Sequence, residues 1–464
     1  MKFRKFGKIL LIGALSVGAI FGVASCVVSY TVGYLYVTGT VTVQPAGNGL
    51  ITGYKIDHDT GMLTPINGLP ISSGGANPVR AVLTSGSRFL YVLNRGVTAA
   101  GSANCTSADP CENSNITEFS VGGNGILAPQ KTYTNIQGVN PFRIILDSSG
   151  SYLLVLSHDA ADNYDTTYNA GTNGCTLALG TGVKTCGDIT VFKIDPTTGY
   201  LSVVINSQVT AVNGVQLTYF PVPANPVDIV MNGNFALTLT EGTAGGSFPY
   251  AGATAVWPYA YASNTGQLTL TQNSAQPLGI TGGTAILNAN SVIYVLDNQP
   301  ISTTFNNAGE VEPVQSASQL EPYTMGADGA LNAEPGGTVP DDPTLANPIQ
   351  LLLEHTGKWL YVANQGNNAL GQNAQSGLAG YDLYANPYQL AFLLGEPFGS
   401  GAGPQCIVED PSNQFIYTAN YNSSNVNGYF VDQNSGALKP LQGVAAQYPL
   451  QGPATWCLTD GRTG

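Results

Sequence analysis

One unit recurs along this chain, and it limits the fold more than any other feature. An apolar strand opens on Asn-Pro or a Gly pair, a tight turn follows, and a Tyr- and Val-rich strand ends on Asn or Asp. Asn77-Pro78-Val79-Arg80-Ala81-Val82-Leu83 leads to Phe89-Leu90-Tyr91-Val92-Leu93-Asn94. Asn140-Pro141, Asn225-Pro226, Gly282-Gly283, Asn347-Pro348 and Gly403-Pro404 open further copies. Each copy ends in a hairpin, as in Tyr54-Lys55-Ile56-Asp57 running into Thr60-Gly61, Phe192 to Gly199, and Tyr429 to Gly436. Asp and Thr favour the turn, and Gly supplies its positive φ. Self-similarity at this spacing marks a repeat architecture. Four antiparallel strands per copy, a to d, make one blade of a β-propeller.

The copies count to seven only if the chain ends join. Tyr34-Leu35-Tyr36-Val37 is a strand b with no strand a before it, and residues 452–459 form a strand a with no strand b after it. Pairing them closes the ring and removes two exposed edges. The expected fold is therefore all-β: a seven-bladed β-propeller of four-stranded blades, closed by pairing N- and C-terminal strands. Only 9% of the residues are charged, and 57 Gly and 28 Pro suit many short strands and turns.

The first residues read as an export signal. Lys2, Arg4, Lys5 and Lys8 precede an apolar run over 9–23, and Val23-Ala24-Ser25-Cys26 resembles a bacterial lipobox. The expected division is a signal over 1–25, a lipidated tether over 26–33 and the propeller over 34–464. The protein is expected to be anchored to the cell envelope by a lipid on Cys26. Val27-Val28 lacks the Asp that often marks inner-membrane retention, which points to the outer membrane. Cys105 with Cys111, and Cys175 with Cys186, flank short loops and suit local disulfides in an oxidising compartment. Cys406 and Cys457 share strand parity on adjacent inner strands and are expected to pair. A formal net charge of −13 argues against a nucleic-acid partner. No cofactor is expected, and the chain is expected to be a monomer.

Strand alternation puts the a–b and c–d turns on one face and the long b–c loops on the other. Those loops run over 95–115, 158–188, 241–254, 298–309 and 365–378, and loops on a rigid scaffold commonly carry function. Beside them, two residues after each Pro, stand Arg80, Arg143, Asp228, Gln350, Cys406 and Thr455. Arg80, Arg143, Asp228 and Gln350 are the expected ligand-binding residues, suited to a small anionic or sugar-like molecule. His58 and His355 fall in short turns. His158, next to Asp159, is on the long-loop face, and a His-Asp pair can serve as a general base. Asp341-Asp342 with Glu334 offers a calcium-type set, but a solvated acidic loop is the expected reading, with no metal.

The Tyr-Val-x-Asn strand ends resemble those of the lactonase-like, YVTN-type seven-bladed propellers, over residues 34–459. That family includes propellers similar to 6-phosphogluconolactonase and to carboxy-muconate cycloisomerase. The resemblance implies His, Arg and Glu near the channel mouth of its enzymes. Arg80 and Arg143 match by position, and with His158 they are the catalytic candidates. No His stands at the start of an inner strand. The function expected first is therefore binding of a small ligand or protein partner through the long-loop face, without catalysis. The alternative is a lactone hydrolase acting on sugar-acid lactones.

Overall fold

The Asn-Pro pairs that open the repeats are conformational corners. Asn77, Asn140, Asn225 and Asn347 sit at φ of 51°, 54°, 53° and 55°, and Gly403 at 67°. Asn and Gly are the residues that take this left-handed conformation at least cost. The corner turns the chain from the rim of one blade to the inner strand of the next. At the far end of strand a, a side-chain oxygen caps the a–b turn. Asp147 accepts from the amides of Ser151 and Tyr152, Asp410 from Gln414 and Phe415, and Glu354 from Lys358.

The computed structural model describes residues 30–41, 48–84, 86, 88–160, 186–206, 216–223, 225–241, 254–271, 276–280, 282–289, 291–299, 303–305, 311–313, 318–334, 337–366, 375–383, 388–441 and 447–461. The proposed signal, Cys26 and Cys175 lie outside them. Seven antiparallel blades follow one another, each built on strands a to d. Blade 1 has Pro78–Leu83, Phe89–Asn94, Asn115–Val121 and Leu127–Tyr133; blade 2 has Val139–Leu146, Tyr152–Asp159, Gly187–Ile194 and Leu201–Val203. Strands a of blades 3 to 6 are Pro226–Asn232, Gly283–Ala289, Pro348–Leu353 and Pro404–Glu409. Blade 7 joins the ends, with Ala454–Asp460 as strand a and Thr31–Thr40 as strand b. They pair from Tyr34 with Asp460 to Gly39 with Ala454. Strand b thus begins three residues before the expected Tyr34. In blades 2, 3, 4, 6 and 7 the outer edge is divided into two short segments, both paired with strand c. Short, interrupted edges resist pairing with other chains.

Each of the seven interfaces between blades holds its own apolar core. Along strand b of blade 2, Leu153 and Val155 face blade 1 while Leu154 and Leu156 face blade 3. Burial on both faces is why these strands read as continuous apolar runs.

Two features of the repeat meet across these interfaces. The Tyr of strand b donates its hydroxyl to the carbonyl of the positive-φ Gly in the next blade's c–d turn. Tyr91 reaches Gly199 (2.5 Å), Tyr361 reaches Gly436 (2.7 Å), Tyr417 reaches Gly61 (2.6 Å), and Tyr36 reaches Gly125 (2.8 Å). The aromatic two residues earlier lies against the same Gly. A Cβ on Gly61 would be 2.4 Å from the Phe415 ring, and one on Gly199 would be 2.7 Å from Phe89. Turn and strand motifs are therefore two halves of one inter-blade contact.

Cys406 and Cys457 form a disulfide with Cα atoms 5.7 Å apart, tying strand a of blade 6 to the closing strand. Cys105 and Cys111 are bonded within the b–c loop of blade 1, and Cys186 is disulfide-bonded as well. Asp341 and Asp342 are 1% and 6% exposed, so the expected solvated acidic loop is incorrect. Tyr381 donates to Asp341 Oδ1 at 2.7 Å, while Glu334 accepts from Thr324 at 2.8 Å. Among the described residues no cluster suits a metal ion.

Candidate functional site

A cavity of about 630 Å³ opens at the channel mouth on the long-loop face. Its position follows from one irregularity repeated in the inner strands. In blades 1, 3, 5 and 6 the register shifts between the opening Pro and the residue two positions on; blade 2 has the same shift around Phe142 and blade 4 around Thr284. One residue of strand a is thus left unpaired, as in a β-bulge. This residue turns to the axis, so Val79, Phe142, Val227, Thr284, Ile349 and Gln405 line the cavity.

A second ring comes from the far end of strand b. The amides of Arg95, Glu241, Gln365 and Tyr421 donate to the carbonyl of the Asn or Gly that opens strand a. This bond fixes each residue at the mouth, and all four line the cavity. His158 holds the corresponding place in blade 2, one residue after the partner of Pro141.

Of the expected residues, Arg80, Arg143 and His158 line the cavity, and Asp228 and Gln350 do not. Both make hydrogen bonds to neighbouring blades. Asp228 Oδ1 accepts from Arg143 Nε at 3.0 Å, and its Oδ2 accepts from the Ile286 amide at 3.1 Å. Gln350 Oε1 accepts from the Ile407 amide at 3.1 Å. Arg95 and Glu241 fall outside the inner-strand pattern that singles out Arg80 and Arg143. The position just after each Tyr-Val-x-Asn strand is the sequence signal that finds them.

The mouth is short of negative charge. The Arg80 guanidinium lies 3.6 Å from the centre of the Trp456 ring, a cation–π arrangement, and has no hydrogen-bond acceptor among the described residues. Burial and the charge of Arg143 depress the Arg80 pKa well below its usual range, with Asp228 opposing. Burial also lowers Arg95, where Asp159 opposes and Arg143 adds to the effect. Arg95 Nε is buried without a partner among the described residues. Arginine keeps its proton in proteins. These depressed values therefore mark cations whose compensation is incomplete and which a bound anion would relieve. Beside them, His158 Nδ1 stands 3.3 Å from Asp159 Oδ1.

Fold and site together define a seven-bladed propeller with an arginine-lined channel mouth. Its resemblance is to the lactonase-like propellers: residues 252–452 match the family described as Lactonase, 7-bladed beta-propeller. No curated protein matches the chain. Among solved structures it is similar to the periplasmic gluconolactonase PpgL of Pseudomonas aeruginosa, with 17% identity, TM-score 0.57, and 92% of this chain and 99% of that one covered. A proposed 6-phosphogluconolactonase of Bacteroides fragilis gives 14% identity and TM-score 0.58, covering 94% and 99%. A hypothetical selenium-binding protein of Sulfolobus tokodaii gives 9% and 0.55, covering 93% and 94%. At these identities the structures share the fold, and their differing descriptions leave the chemistry to the site.

Proposed function

We propose that the channel mouth binds a small polyhydroxylated anion of the sugar-acid class. The observation that carries this reading is the set of three arginines on one cavity, Arg80, Arg95 and Arg143, of which only Arg143 pairs with a carboxylate at hydrogen-bond distance among the described residues. Guanidinium forks suit carboxylate and phosphate, and Gln365, Gln405 and Thr284 offer partners for hydroxyls. Calorimetric titration with D-gluconate and 6-phosphogluconate tests it. Arg80→Ala should weaken binding about tenfold or more, the loss expected for a hydrogen bond to a charged group. Absence of binding of either acid to the unaltered protein overturns the reading.

A second reading, hydrolysis of the corresponding lactone, is favoured by His158 at the same cavity, with the buried Asp159 beside it. His158 would take a proton from water attacking the lactone carbonyl, and an arginine would face the developing oxyanion. The proton then passes to the departing ring oxygen, giving the open hydroxy acid. Turnover of glucono-δ-lactone above the spontaneous rate, lost in His158→Gln, is the expected result. Turnover unchanged in that variant excludes His158 as the base.

The chain is further proposed to be exported and lipid-anchored through Cys26. The bonded cysteines support an oxidising compartment. Mass spectrometry of the mature N-terminus decides it: an acylated Cys26 is expected, and any other first residue overturns the anchor.

A further inference from the structure

We propose that the disulfide-closed loop between Cys105 and Cys111 is a positioning element that sets the imidazole tautomer of His158 through Asp159. The loop belongs to blade 1 and His158 to blade 2. The proposal rests on the reading of His158 as a cavity base.

Asp159 is held from two sides. Ser107 Oγ, within the loop, donates to Asp159 Oδ1 at 2.5 Å. Asn140 Nδ2 donates to Asp159 Oδ2 at 2.6 Å and to the loop carbonyl of Thr106 at 3.2 Å. Asn140 Oδ1 in turn accepts from the Cys111 amide at 2.7 Å. Loop, Asn140 and Asp159 thus form one closed set of contacts around a carboxylate only 2% exposed. Burial alone would raise the Asp159 pKa. Hydrogen bonds from Ser107 and Asn140, with His158 Nδ1 at 3.3 Å, outweigh it and hold the value below the usual range.

The consequence reaches the cavity. An ionised carboxylate only accepts hydrogen bonds, so the His158 Nδ1 facing Asp159 carries the proton. The neutral ring then keeps its lone pair on Nε2, the form a base needs, in a residue that lines the cavity. A partner on one ring nitrogen fixes the tautomer of the whole ring. The disulfide limits the conformations open to the loop, so that Ser107 stays seated although its neighbours Thr106, Ala108 and Asp109 are exposed.

The test is nitrogen NMR of the full chain with labelled histidine, at about pH 9 where an imidazole is neutral. The His158 signals are assigned by their loss in His158→Gln. The unaltered protein should show the Nδ1–H form. Ser107→Ala, and separately Cys105→Ser with Cys111→Ser, should move the population toward Nε2–H. Ser107→Thr, which keeps the hydroxyl, should not. An Nε2–H ring in the unaltered protein overturns the proposal, as does a tautomer unchanged in both Ser107→Ala and the cysteine variant. No ligand enters this measurement, so its failure is distinct from failure of gluconate to bind. Under lactone hydrolysis, the same variants should lower kcat about tenfold with little change in KM, the pattern of a group acting at the transition state.

Discussion

The contact between strand b and the next blade's c–d turn predicts an ordered set of stabilities. Tyr417→Phe removes a hydroxyl that donates to Gly61 O at 2.6 Å from a fully buried position. The carbonyl left behind loses its partner, at a cost of about 1–3 kcal/mol. Gly61→Ala should cost more, because two penalties combine. Gly61 has φ of +67°, where an L-residue pays roughly 1–2 kcal/mol. The new Cβ would also meet three Phe415 ring atoms at 2.4, 2.6 and 2.8 Å, and displacing a packed ring adds about 1–3 kcal/mol. Gly86→Ala is the control: its φ is +77° and a Cβ there meets nothing within 4 Å, so only the backbone penalty applies. Urea unfolding followed by tryptophan fluorescence measures all three. The expected order of loss is Gly61→Ala, then Tyr417→Phe and Gly86→Ala at comparable smaller values. Equal losses for the two glycine variants would refute the packing argument. A Tyr417→Phe protein as stable as the parent would refute the hydrogen-bond argument.

Replacing Cys406 and Cys457 together by Ala frees a loop with a sequence separation of 51, a loss of about 4 kcal/mol in the chain-entropy description. A urea midpoint unchanged from the parent would show that the closing strand does not depend on the bridge. Stability should also fall as pH rises from about 5 to about 8.5. Asp341 is raised to about 6 by burial, and Glu396 to about 7 by burial and Asp342. Glu409 is raised to about 8 by burial and by Glu354 and Asp410. Groups with a raised folded-state pKa favour the fold while protonated, and that contribution is lost as pH rises through the folded values. Glu409→Gln should flatten the upper part of the profile in pH-dependent urea midpoints, and a profile that rises over this range contradicts the assignment.

The blades were legible because each strand answers to a local requirement that the sequence displays. Asn before Pro marks the left-handed corner, Asp with Gly marks the c–d turn, and the continuous apolar run marks a strand buried on both faces. The closing disulfide was legible for the same reason, since both cysteines lie on strands whose order the repeats define. The cavity was only partly legible. The unpaired residue in the inner strands changes which side chains face the axis, and no residue type announces it; Val79, Phe142 and Ile349 do not look like bulge residues. Asp228 fits the ligand ring by position, but Arg143 and the Ile286 amide claim it first. Asp341 and Asp342 look solvated by composition, yet the preceding chain and Tyr381 cover them. Contacts between blades, such as Ser107 on Asp159, depend on loop paths that repeats do not encode.

Under the proposed lipid anchor, the orientation of the propeller follows from where its first described residue sits. Tyr30 stacks on His58, with ring centroids 4.3 Å apart, and its carbonyl accepts from the His58 amide at 3.0 Å. His58 belongs to the c–d turn of blade 7, so Tyr30 is fixed at the short-turn face. Only Val27, Val28 and Ser29 separate it from Cys26, and the four Cα–Cα steps reach at most about 14 Å. Under the proposed anchor, a lipid on Cys26 would therefore hold the short-turn face close to the bilayer. The cavity opens on the opposite face and would point away from the membrane, toward soluble ligands. Proteases applied to membrane-bound protein should then cut the loops over 158–188 and 365–378 before the turns over 57–61 and 432–436. The difference should shrink in Cys26→Ser protein, which has no lipid to shield either face. Earlier cutting at the short turns of the anchored protein would refute the orientation, because it would require the tether to leave the contact with His58.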